Sequence, residues 1–99
     1  MTSKLLNPIP PGAILFEDFM KPLQLSINQL ARDLGVPPNR ISAIVSGKRS
    51  ITADTALRLG KYFDVSPELW LGLQADYEIR VARRTTWPKV ERTIRTRAA

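Results

Sequence analysis

The sequence predicts a small all-α domain of five helices, followed by a short basic C-terminal tail. Apolar residues recur at three- and four-residue spacings, the mark of helices with one buried face. Capping residues and prolines stand where those stretches begin, and glycines stand where two of them end. Ninety-nine residues with 43% hydrophobic and 24% charged side chains suit one globular domain with its own core.

Residues 1–10 carry Pro8 and Pro10 without periodicity and read as an extended arm. Pro11 and Gly12 open a first helix with Ile14, Leu15, Phe19 and Met20 at helical spacing and Glu17 and Asp18 on the other side. Pro22 ends it. Ser26 reads as the N-cap of a second helix over 26–34, with Gln29 three residues on to close a capping box. Leu30, Ala31 and Leu34 share its inner face, and Ala31 is small enough to let a second backbone cross closely. Gly35 follows where the chain needs a left-handed residue to turn. Pro37 and Pro38 suit the first turn of a helix over 37–46, with Ile41, Ile44 and Val45 as its apolar stripe. Gly47 reads as a C-cap glycine. Thr52 suits the N-cap of the next helix, T-A-D-T-A-L-R-L-G-K-Y-F, where Ala56, Leu57, Leu59 and Phe63 supply an apolar face.

Ser66, Pro67 and Glu68 start a fifth helix that runs to about Arg83. Its apolar residues, Leu69, Trp70, Leu71, Leu73, Ala75, Tyr77, Ile79 and Val81, lie on more than one face. One stripe can pack on the domain's own core. The remainder predicts a second copy of the chain, with Leu69, Trp70, Leu73, Tyr77 and Val81 at the contact, or else a broad half-exposed stripe. Residues 84–99 read as a basic tail or as a short amphipathic helix through Trp87, Val90 and Ile94.

Residues 25–48 therefore have the spacing of a helix-turn-helix. An αα-hairpin that merely packs a core is the plain alternative. The outer face of the second helix argues for DNA: Asn39, Arg40, Ser42, Ala43 and Ser46 are short, uncharged or basic, and no acidic residue occurs over 37–53. A solvated face usually mixes both signs of charge. The net charge of +6 is also unevenly placed: residues 1–36 are neutral, residues 37–64 carry +3, and residues 65–99 carry +3 with every positive at or after Arg80. Ser26 and Gln29, at a helix N-terminus, are placed to hold a phosphate. Pro38, Asn39, Ser42, Ala43 and Ser46 face the major groove. Arg40 reads a guanine bidentately or grips a phosphate. Lys48 and Arg49 are phosphate contacts, and Thr52 offers a further contact at the next helix start.

Other classes fare poorly. The chain has no histidine and no cysteine, which removes the commonest general base, disulfides and thiolate metal sites. Glu17-Asp18 and Asp76-x-Glu78 diverge around a helix and form no acid/base pair. Neither catalysis nor a cofactor is expected. No apolar run is long enough for a signal-peptide core or a membrane span, so the expected location is the cytoplasm, with no membrane partner.

Four blocks occur in order: N-P-x-x-P-G at 7–12, the helix-turn-helix, G-K-R-x-I-T-A-D-T-A-L-R-L at 47–59, and S-P-E-x-W-L-x-L-Q-A-D-Y at 66–77. They resemble the HigA antitoxin family, within the phage-repressor-like (XRE, Cro/CI) class of helix-turn-helix regulators. The resemblance covers residues 7–83, and I-T-A-D-T-A and L-Q-A-D-Y are its most specific blocks. It implies a domain that dimerises through its last helix and binds a palindromic operator upstream of its own gene. It also implies a partner, a HigB toxin of the RelE type, a small basic ribonuclease that cuts mRNA on the ribosome. Glu17 and Asp18, the proline-rich arm and the Trp87 segment are the candidate surfaces for it. Ala43 departs from the family, where many relatives carry a longer polar residue, and its methyl suits a thymine methyl instead. A solitary repressor without a toxin is the alternative reading.

Overall fold

The structure is a computed structural model and describes residues 7–97. Among the described residues it contains six α-helices and no strand: α1 (Pro11–Ile14), α2 (Ile27–Leu34), α3 (Pro38–Val45), α4 (Ala53–Phe63), α5 (Pro67–Thr85) and α6 (Trp87–Val90). Residues 7–10 of the expected arm have no regular structure, and residues 1–6 lie outside the described residues.

The first helix departs from expectation after one turn. α1 widens into a π-helix over Leu15–Met20, ending before Pro22 is reached. Leu15 and Met20 are both fully buried. They stand five residues apart, a spacing that an α-helix splits between faces and a π-helix aligns. The widened turn also seats Phe19 between Phe63 and Trp70, with ring centroids 5.0 and 4.8 Å away, close enough for the tilted aromatic contacts that add to simple burial.

α1 crosses the next helix pair at Gly12. A Cβ there would lie 1.7 Å from the Ile44 carbonyl oxygen and 2.9 Å from Val45 Cα, so the α1 and α3 backbones touch. α2 and α3 pack through Leu30, Ala31 and Leu34 against Ile41 and Ile44, all buried. Gly35 makes the turn between them at φ 73°, as the left-handed requirement predicts. α4 adds Ala56 and Leu59 to the same core with Phe63 packed against it, whereas Leu57, expected on that face, is exposed.

α5 corrects the expected dimer contact. Trp70 is fully buried inside its own protomer, packed on Phe19, and is unavailable to a partner. α5 also runs two residues beyond Arg83, and α6 and a 3-10 turn (Glu91–Thr93) follow it. The segment expected as a basic tail is thus helical through most of its described length, with residues 98–99 outside the described residues.

Candidate nucleic-acid interface

The N-termini of α2 and α3 open side by side onto a cleft of about 560 Å³. Ser26, Asn28, Asn39 and Ser42 line it together with Phe16 and Pro38, and among the described residues no carboxylate does. Ser26 is the N-cap of α2, its hydroxyl accepting from the Gln29 amide at 3.0 Å. Ser26, Pro38, Asn39 and Ser42, predicted from sequence as DNA contacts, therefore meet in one place. Asn28 joins them and was not singled out, although its position two residues past the cap was a usable signal.

Pro38, Asn39, Ser42 and Ser46 are exposed along α3, while Ala43 is partly covered. The Ala43 carbonyl accepts from the Lys48 amide at 2.9 Å, the Arg49 amide at 3.2 Å and the Ser46 hydroxyl at 3.1 Å. With Gly47 at φ 80°, these bonds fold the chain back at once and set Lys48 and Arg49, both exposed, beside the end of α3. The loop is then hung from α5. The buried Gln74 accepts from the Ile51 amide at 2.9 Å through Oε1 and donates to Glu78 at 2.8 Å. Ser50 donates to the same Glu78 carboxylate at 3.4 Å. Thr52 stands exposed at the N-cap of α4, but its side chain makes no capping bond.

Two predicted contacts are engaged within the protomer. Arg40 does not point outward: its side chain is 24% exposed and Nη1 donates to Asp54 Oδ2 at 2.9 Å. Arg58 donates to the same oxygen at 3.0 Å and to the Leu34 carbonyl at 2.7 Å, so Asp54 and Arg58 together join α3, α4 and the end of α2. The Arg58 bond and then Arg40 hold the Asp54 carboxyl below its usual range. Gln29 completes only half of the expected capping box. Its side chain turns away from Ser26, donating to Asp33 at 2.8 Å and accepting from Arg32 at 2.8 Å. The Tyr62 hydroxyl, 2.7 Å from Asp33, and Gln29 lower the Asp33 pKa, while that of Tyr62 is raised by the same bond.

A second surface lies on α5. Leu73 and Tyr77, both half-buried, form with Ile9 and Ile14 a groove of about 520 Å³ rimmed by Arg80 and Arg83. Leu69 is exposed and Val81 half-buried on the same helix. Leu71 and Ile79 are exposed as well, a stripe absent from the expected contact. No helix among the described residues is long and apolar enough to cross a membrane.

The helix-turn-helix family HTH_3 matches residues 17–70. A solved structure of an addiction module antidote protein of the HigA family from Coxiella burnetii is 47% identical, covering 93% of this chain and all of that one, with a TM-score of 0.87. The chain belongs to the HigA family. A second HigA structure, the Pseudomonas aeruginosa antitoxin with the higBA promoter, is 37% identical over 93% of this chain and all of its own, with a TM-score of 0.89. Virulence-associated protein I of Dichelobacter nodosus is 49% identical over 75% of this chain and 68% of its own. HigA membership agrees with the absence of any catalytic grouping in the sequence reading.

Proposed function

We propose that this HigA-family chain is the antitoxin of a two-protein module, binding a palindromic operator as a homodimer. The observation that carries the DNA reading is the acid-free cleft where Ser26, Asn39 and Ser42 converge at two helix N-termini. Amide hydrogens there favour a phosphate on the Ser26 side. Pro38, Asn39, Ser42, Ala43 and Ser46 read base edges, and Lys48 and Arg49 hold phosphates beyond α3. Support for the operator comes from the likeness to the P. aeruginosa antitoxin with its promoter. Two copies joined through α5, by Leu69, Leu73, Tyr77 and Val81, would set α3 into successive major grooves about 34 Å apart. The partner is a HigB toxin of the RelE type, neutralised by this chain, and the pair represses the shared promoter from the cytoplasm.

Co-expression with the adjacent small reading frame tests the reading. The expected outcome is a stoichiometric complex, rescue of growth from the neighbour's toxicity, and a shift of DNA from the shared promoter. A harmless neighbour and a chain that elutes alone while still shifting that DNA would make it a solitary repressor.

A further inference from the structure

The charge of the chain divides sharply along its length. Residues 1–79 hold eight basic and eight acidic side chains, whereas residues 80–99 hold seven basic residues against Glu91 alone. The entire net charge of +6 thus resides in the last segment. That segment also leaves the body. Every residue over 82–97 is exposed, and α6 packs on the end of α5 and on the 3-10 turn. The molecule is 52 Å long against 31 and 22 Å in its other dimensions.

The cations in this segment differ in how they are held. Arg80 pairs with Asp76 at 2.8 Å, and Arg84 reaches the Asn7 side chain. Arg83, Lys89, Arg92, Arg95 and Arg97 have no carboxylate partner among the described residues. After the 3-10 turn, Ile94 takes an extended backbone and the chain continues without regular structure through Arg95 and Arg97. A folded body with no net charge exerts little long-range pull on a polyanion, and like-charged side chains gathered without counter-charges cost free energy until a polyanion meets them.

We propose that residues 83–97 form a basic arm that grips the phosphate backbone of duplex DNA, independently of sequence and in addition to the contacts of α3. The proposal rests on the reading of the chain as a DNA-binding protein. The arm's ligand is a run of phosphodiesters. Trp87, Val90 and Ile94 give the arm an apolar side that a second copy could cover, but two such arms brought together would set +5 against +5. Charge complementarity therefore favours DNA as the occupant.

Neutralising a phosphate contact lowers the slope of log affinity against log salt by about 0.9. The test compares the full chain with its K89Q/R92Q/R95Q/R97Q variant, on the operator and on an unrelated duplex of equal length, over a salt series. All four side chains are exposed, so the variant should keep its helical content and melting temperature. The expected result is weaker binding to both duplexes alike, an unchanged operator preference, and a slope reduced by about three to four units per bound protomer. An unchanged slope overturns the arm. A dimer that falls apart in sedimentation overturns it too, by making the segment a contact between copies. If the unaltered chain shows no operator preference, the parent reading fails, while the slope on the unrelated duplex still decides the arm.

Discussion

Arg40 has two claimants for its guanidinium, a carboxylate inside the protomer and whatever lies in front of α3. In the free protein Asp54 holds it, 2.9 Å away, and Arg40 Nε finds no acceptor among the described residues. Asp54→Asn removes the ion pair and one negative charge from beside the interface. Binding to unrelated duplex DNA should strengthen, with a salt slope steeper by about one unit as Arg40 takes a phosphate. A salt titration of the two proteins checks this, and an unchanged slope would show that Arg40 meets no phosphate. The same residues show what local sequence can convey. Ser26, Gly35 and Gly47 were legible because each acts on amides and carbonyls within four residues of itself, and Pro38 because its ring presets the first turn of α3. Asp54 was not, because it lies one residue past an acid-free run and meets Arg40 only once α3 and α4 are packed. Ser26 predicted Gln29 as a box partner, yet Asp33 and Arg32 compete for that amide and win it.

At the scale of the elements, the placement of α3 depends on a single missing side chain. Gly12 reads from sequence as a helix opener, but its task is to let α1 touch the backbone of α3 at Ile44. Gly12→Ala drives a methyl into a carbonyl that has no flexible end to move. Overpacking a core costs about 1–3 kcal/mol, and contact with backbone belongs at or above the top of that range. Thermal unfolding should register the loss as a lower Tm, whereas a variant as stable as the parent would mean that α1 can slide along α3. Nothing in the local pattern marks this glycine, since its partner lies thirty-two residues on. The π-helical turn is similarly hidden: Leu15 and Met20 each look like core, but their five-residue spacing acquires meaning only when both prove buried. Trp70 is the converse case. Its apolar neighbours fill several faces of α5, and only the packing of Phe19 decides that this one turns inward.

For the whole molecule, dimerisation and DNA affinity have to be considered together. One copy presents a single α3, and a palindrome recruits two. Leu73→Glu places a charge in the groove that Leu73 and Tyr77 share with Ile9 and Ile14. The variant should sediment as a monomer and keep its helical content, and it should lose most operator binding at concentrations where the parent saturates. A variant that remains dimeric would move the contact to the opposite stripe of Leu71 and Ile79. The all-helical architecture and the position of the helix-turn-helix were readable from sequence. The face of α5 proposed to join two copies was not, because apolar residues cover too much of its circumference to rank.

The polar bonds from Gln74 and Glu78 to Ile51 and Ser50 tie the loop of Lys48 and Arg49 to the helix proposed to join the copies. Breaking the buried bond to the Ile51 amide would cost about 1–3 kcal/mol, so displacing the loop from α5 is opposed by that much. Any ligand that prefers one setting of α5 thereby prefers one setting of the loop, and the preference is reciprocal by linkage. If α5 joins two copies as proposed, grip on the second copy and grip on DNA would be two readouts of one lever.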